Sequence, residues 1–303
     1  MNNLYHRQVA LLIRVMPLVY RIKEFAVHGG TAINLFHRNL SRYSVDIDLT
    51  YTPISDRATS LKAINEHLAS LKAGIEKAIP GIKVIHKPEV WKLQCFQNGT
   101  TIKIEVNGTK RGVLEAPEVI ELCNKAKMEF GMTCYANIVA WSQLFGGKIV
   151  AALSRQHPRD LFDCRDLTAC EFAKVKSGFM LCLLGSDKPL VESLAPNPID
   201  QQDALSHQFE GMTDEPFTYA DYENARMNLI SIVNSSLTDT DKEFLILFET
   251  GEPDWSKCCA GNLSNFPSIK WKLQNINLLK KNDPGKHSQC VEKLINHFKT
   301  SGI

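Results

Sequence analysis

The sequence predicts an α+β protein, with a small mixed sheet within residues 1–115 followed by a mainly helical domain over residues 116–303. Three observations predict it. A short apolar strand runs into Gly29-Gly30-Thr31, which opens a helix. The next strand, Val45-Asp46-Ile47-Asp48-Leu49, alternates apolar and acidic residues. Beyond Ala169 the chain reads as helical, with breaks at Gly185-Ser186 and Pro196-Asn197-Pro198.

Residues 3–23 place Val9, Leu12, Ile13, Met16, Val19 and Tyr20 at helical spacing. A strand over 24–27 and a helix over 31–36 follow, and a loop over 37–43 leads to the acidic strand. His28, His37, Arg38 and Arg42 lie in this stretch, either as phosphate contacts or as packing residues. Residues 55–79 form one long amphipathic helix stopped by Pro80-Gly81. Segments 83–86, 91–97 and 101–107 read as strands, the last two joined by a tight turn at Asn98-Gly99. In the last, Ile102, Ile104 and Val106 alternate with Lys103, Glu105 and Asn107, so Glu105 is on the polar face. A break falls near 110–117 and a helix is expected over 135–154. Further on, Thr240 and Glu243 have the spacing of a capping box.

Period 2 puts Asp46 and Asp48 on one face of their strand. Neighbouring carboxylates repel, and a sequence rarely sets two of them among Val45, Ile47 and Leu49 unless a cation sits there. The start of the helix at Gly30 offers backbone N–H groups and a positive dipole end, which suit phosphate. Together they describe a site for a metal ion and a nucleoside triphosphate.

Gly-Gly-Thr followed, after a spacer of 14 residues, by Asp46-x-Asp48 resembles the signature of the DNA polymerase β-like nucleotidyltransferase superfamily. The wording His28-Gly29-Gly30-Thr31-Ala32 with Ser44-Val45-Asp46-Ile47-Asp48-Leu49 is similar to the AbiEii/MenT family of bacterial nucleotidyltransferase toxins. Ile102-Lys103-Ile104-Glu105-Val106 is similar to that family's acidic strand. Lys148, followed by Arg155 and Arg159-Asp160-Leu161-Phe162-Asp163, resembles its Lys…Arg-Asp-Leu-x-Asp motif, in which the lysine and an aspartate belong to the active site. A departure is Gly146-Gly147 before the lysine, where helix formers are expected and each glycine costs about 1 kcal/mol; close packing against the nucleotide is one reading of it. Asp160 and Asp163, three apart, share a helical face, and the sequence leaves open which of them meets Lys148.

The resemblance implies Asp46, Asp48 and Glu105 as ligands of two Mg²⁺ ions. It implies Gly29, Gly30, Thr31, Lys148, Arg155 and Arg159 as contacts to an NTP, and Asp160 and Asp163 as partners of the lysine. It further implies transfer of NMP to an RNA acceptor, the 3′ end of tRNA in some members, and a cognate antitoxin protein. Nucleotidylation of a protein side chain and a non-catalytic nucleotide- or RNA-binding module are the alternatives.

Composition fits such a protein: 303 residues with 44% hydrophobic fill a sizeable core. No apolar run reaches the roughly 20 residues that span a bilayer, and Arg7, Arg14 and Arg21 interrupt the N-terminal pattern where a signal peptide would be continuous. A cytoplasmic location is therefore expected, where the nine scattered cysteines, with no Cys-x-x-Cys, stay reduced. The net charge of +2 hides an asymmetry. Residues 1–44 hold six Lys or Arg against Glu24, residues 257–303 hold eight Lys against Asp283 and Glu292, and residues 187–254 hold fifteen acids against Lys188, Arg226 and Lys242. Such basic ends suit a polyanion.

Overall fold

The computed structural model describes residues 3–300. The chain divides into two compact units: one comprises the chain up to Ala140 together with Phe209–Pro216, and the other Trp141–Gln208 with the chain from Phe217 onward.

The first unit holds α1 (Asn3–Tyr20), β1 (Phe25–His28), α2 (Gly29–Ala32) and β2 (Asp46–Tyr51), then α3 (Arg57–Ala78), β3 (Lys83–Lys87), β4 (Lys92–Gln97) and β5 (Thr100–Val106). β6 (Glu118–Glu121), α4 (Asn124–Phe130) and β7 (Tyr135–Ile138) complete it. The strands form one mixed sheet in the order β3-β4-β5-β2-β1-β7-β6. β2 runs antiparallel to β1 and parallel to β5, and β7 runs parallel to β1. α1 packs on β5 and β7 and α3 on β3 and β4, so Leu12, Ile13, Met16, Ile64, Leu68 and Ile75 form a core with Ile47, Leu93 and Ile104.

The first unit therefore extends past the expected boundary at 115, because β6 and β7 join its sheet. Residues 135–138, expected to begin a helix, are strand: Ala136, Asn137 and Ile138 are buried, with Ile138 paired to Val27 on one side and Glu118 on the other. The helix starts only at Trp141. Phe209–Pro216 belongs to this unit because Tyr43 donates its N–H to the Met212 carbonyl (2.7 Å) and the Thr213 hydroxyl donates to the Ser41 carbonyl (2.8 Å).

The second unit is helical: α5 (Trp141–Arg155), α6 (Pro158–Cys164), α7 (Ala169–Leu184), α8 (Leu190–Leu194), α9 (Gln202–Ala204), α10 (Tyr219–Ser236), α11 (Asp239–Glu249), α12 (Pro267–Asn282) and α13 (Pro284–Thr300). Three of these open on capping boxes, Thr168 with Glu171, Thr218 with Asp221 and Thr238 with Asp241. The box at α11 is thus two residues earlier than expected, since residue 240 already lies inside the helix. Among the described residues no helix is long and apolar enough to cross a membrane.

α5 and α7 cross at two glycines. A Cβ on Gly146 would lie 2.2 Å from the backbone nitrogen of Phe179, and one on Gly178 would lie 2.0 Å from the Ser142 carbonyl oxygen. Gly146 is therefore explained by helix–helix contact and not by a nucleotide. Gly146→Ala should destabilise the protein by about 1–3 kcal/mol through overpacking, even though alanine gains roughly 1 kcal/mol over glycine in a helix. Thermal unfolding followed by circular dichroism checks this, and an unchanged or raised midpoint would refute it.

Candidate active site

In the first unit the register of β2 sets the geometry. Asp48 is opposite His28 of β1 on one side and Glu105 of β5 on the other, while Asp46 is opposite Lys103. Period 2 then sends Asp46, Asp48 and Glu105 to one face and the buried Ile47, Leu49 and Ile104 to the other. Asp48 is exposed and Asp46 half-buried.

The turn from β1 into α2 presses against these carboxylates. Gly29 has φ +72°, and a Cβ there would lie 2.4 Å from Asp48 Oδ2, so backbone conformation and space both demand glycine. A Cβ on Gly30 would meet Arg42 Nη2 and Ser44 Oγ, each at 2.8 Å. Arg42 is buried and donates from Nη1 to the Tyr43 carbonyl (2.9 Å). Thr31 is buried as well, and its hydroxyl, expected on a phosphate, donates instead to the Asp46 carbonyl (2.5 Å), tying α2 to β2. Burial pushes the His37 imidazole below its ordinary value despite the upward pull of Glu118, so the ring is neutral at pH 7.

Two carboxylates on one strand face suit a hard divalent cation, and Asp46 and Asp48 fit that description. Glu105 is in register with them, but its carboxylate accepts from Lys92 Nζ of β4 at 2.6 Å. Among the described residues no three His, Cys, Asp or Glu side chains gather into a set that would hold a metal ion. Sequence reading missed Lys92, although a two-residue turn at Asn98-Gly99 dictates that 92 pairs with 105.

In the second unit Lys148 of α5 lies between two carboxylates of α6, 3.0 Å from Asp160 Oδ1 and 2.9 Å from Asp163 Oδ2. The alternative left open by the sequence resolves into both. All three side chains are at most 6% exposed. Asp160 also binds Arg155 Nη2 through its second oxygen (2.8 Å), and the Arg155 side chain is 63% exposed. Pro158 at the first position of α6 and His157 as its cap fix where the helix begins, the His157 Nδ1 accepting the Arg159 N–H (3.2 Å). With Nδ1 an acceptor, Nε2 carries the proton and donates to Gln208 Oε1 (3.1 Å).

Burial alone would push the Asp160 carboxyl up, but the combined pull of Lys148 and Arg155 outweighs it and holds its pKa below the ordinary value. The folded carboxyl thus binds its proton less tightly than the unfolded one. Its contribution to stability is complete above the unfolded pKa of about 3.9 and is withdrawn as pH falls through the folded-state value. Asp160→Asn should therefore be less stable than wild type at pH 6, with the gap in urea midpoint shrinking toward pH 3; a gap independent of pH would contradict this. Lys148→Met should cost about 3–5 kcal/mol, because two buried carboxylates are left without their cation, whereas Arg155→Ala, at an exposed site, should cost no more than about 1 kcal/mol. Urea unfolding of both variants tests the ranking.

Comparison with known proteins bears on both units. No curated protein sequence matches the chain. Among solved structures, the MenT4 nucleotidyltransferase toxin of Mycobacterium tuberculosis H37Rv shares the fold, with a TM-score of 0.60 at 14% identity over 90% of this chain and 93% of that one. The model of the AbiEii family of nucleotidyl transferase toxins, of type IV toxin–antitoxin systems, matches residues 10–275. That span takes in the Gly-Gly-Thr turn, the Asp46–Asp48 strand, Glu105 and the Lys148 cluster, and the chain accordingly belongs to the AbiEii nucleotidyltransferase toxin family.

Proposed function

We propose that this toxin transfers NMP from an NTP to the 3′ end of an RNA, with tRNA as the acceptor, releases pyrophosphate, and acts in the cytoplasm. The observation that carries this reading is the juxtaposition of Asp48 with Glu105 across β2 and β5 and with the bare α-carbon of Gly29. Asp46 and Asp48 would hold two Mg²⁺ ions, which would supply polarisation of the α-phosphate and offset the charge of the triphosphate. Glu105, paired with Lys92 at 2.6 Å, would complete this ligand set on release from that lysine and would take up the proton of the attacking hydroxyl. Gly29, Gly30 and Thr31 meet the phosphates through backbone N–H groups, since the Thr31 hydroxyl is already engaged.

The Lys148 ammonium is bridged by two carboxylates, so it contributes less charge to a triphosphate than a solvated lysine would. Its work is to hold Asp160 and Asp163, and through Asp160 it fixes Arg155, which with Arg159 is a source of positive charge for phosphate on the second unit. An RNA acceptor is supported by the exposed Lys270, Lys281, Lys286, Lys293 and Lys299 of α12 and α13. The family implies an antitoxin as partner.

Purified protein incubated with each labelled NTP, Mg²⁺, tRNA and cell extract should label RNA. The label should be lost with EDTA, with Asp46→Ala and with Asp48→Ala while circular dichroism stays native. Label on protein would make a side-chain hydroxyl the acceptor, and no label with any NTP would favour a non-catalytic binding module. If either aspartate variant labels RNA at near wild-type rate, the metal site is elsewhere.

A further inference from the structure

The helix behind Gly29-Gly30 is unusual: after four α-helical residues it widens into a π-turn over Ile33–His37, closed by the Arg38 N–H on the Ile33 carbonyl (2.7 Å). π-turns are rare and need a local cause. Here it is Asn34, fully buried, whose side-chain amide donates to the Gly30 carbonyl (3.0 Å). That carbonyl also receives the Ile33 N–H. The other end of the same amide, Oδ1, accepts from the Ser41 hydroxyl (2.7 Å), and the Asn34 backbone carbonyl accepts the Leu40 N–H (3.0 Å).

These bonds hold a strained loop. Leu40 is fully buried with φ +52°, a conformation that a branched residue keeps only where its surroundings impose it. Lys125 fixes the loop from outside, its N–H on Asn39 Oδ1 (2.9 Å) and its Nζ on the Leu40 carbonyl (3.2 Å). Asn34 fixes it from within. Two residues past Ser41 the same segment delivers Tyr43 and then Ser44 and Asp46, and Arg42 lies against Gly30.

We infer that Asn34 is a positioning residue for nucleotide binding. It touches neither metal nor phosphate. By gripping the Gly30 carbonyl with one end of its amide and Ser41 with the other, it sets the distance between the glycine turn and the segment that carries Arg42, Ser44 and Asp46. The inference rests on the reading of that turn as the triphosphate site. Thr31 makes a second link, from α2 to the Asp46 carbonyl, so the short helix is tied to the strand that carries the carboxylates by Thr31 and to the loop before it by Asn34. Asparagine suits the task because one side chain supplies a donor and an acceptor.

The test uses Asn34→Ala, Ser41→Ala and the double variant of the full chain, with two readouts. Hydrogen exchange should quicken in residues 38–44 in each single variant, with no comparable change in α7. Affinity for ATP, GTP, CTP or UTP with Mg²⁺, measured by calorimetry, should fall about tenfold for whichever NTP binds, the order expected when a buried hydrogen-bonded link is lost. The double variant should lose little more than Asn34→Ala, because both changes break one link. Asn34→Asp should bind poorly at neutral pH and recover relative to wild type as pH falls, because only the protonated carboxyl can donate to the Gly30 carbonyl. Unchanged exchange and affinity in folded variants, or fully additive losses, would overturn the inference. Should Asn34→Ala fail to fold, Ser41→Ala, on a half-buried residue, decides alone. If the wild-type protein takes up no NTP, the reading of the turn fails, and the exchange rates, which need no ligand, still show whether Asn34 grips the loop.

Discussion

Everything in the first unit depends on the register of β2 between its neighbours. A slip of one residue against β5 would carry Asp46 and Asp48 into the core and Ile47 and Leu49 onto the polar face. What forbids it is the burial of Ile47, Leu49, Ile104 and Val106 in the core. The apolar residues of the strand therefore fix the aim of the acidic ones, and the Thr31 hydroxyl on the Asp46 carbonyl adds a local lock from α2. The carboxylates repel one another, and the other face of the strand holds them side by side.

The second unit solves a different problem, how to keep a lysine and two aspartates dry. A buried ion pair recovers its desolvation cost only with good geometry and further hydrogen bonds. Lys148 meets one carboxylate at 3.0 Å and the other at 2.9 Å, and Asp160 passes its second oxygen to Arg155. Arg155 is the outlet of the cluster. It gives an otherwise buried set of charges one group that solvent or a ligand can reach, and it is held by the same carboxylate that Lys148 fixes.

The parts of this structure legible in the sequence are those where chemistry and period agree. Alternation in residues 45–49 and 102–107 gave strands and faces, Asn98-Gly99 gave the hairpin, and acids on a polar face gave the candidate metal ligands. β7 was not legible because Ala136, Asn137 and Ile138 are buried without alternation, so a strand flanked on both sides lacks the contrast that a sequence shows. The capping box at α11 failed for another reason. Thr238 with Asp241 and Thr240 with Glu243 have the same spacing, and only burial of Asp241, with Lys176 beside it, distinguishes them. Asn34 and the π-turn leave no pattern at all, because a single polar residue in a short helix reads like any other until its partners are seen.

Charge asymmetry along the chain was the least direct guide. The acidic stretch and the lysine-rich tail are far apart in sequence, yet within the second unit they partly neutralise one another. Lys280 pairs with Glu252 at 2.8 Å, Lys257 pairs with Glu243, and Lys272 is buried with its ammonium on the Ser186 carbonyl (3.1 Å) and near Glu249. Burial pushes Lys272 down and Glu249 up, so both are poor carriers of surface charge. Three of the eight tail lysines are thus spent inside the unit, and the potential that any polyanion would meet comes from the exposed Lys270, Lys281, Lys286, Lys293 and Lys299. A block of charge in a sequence becomes a surface only after such internal pairing is subtracted, and here the subtraction moves the basic face from the whole tail to the outer side of α12 and α13.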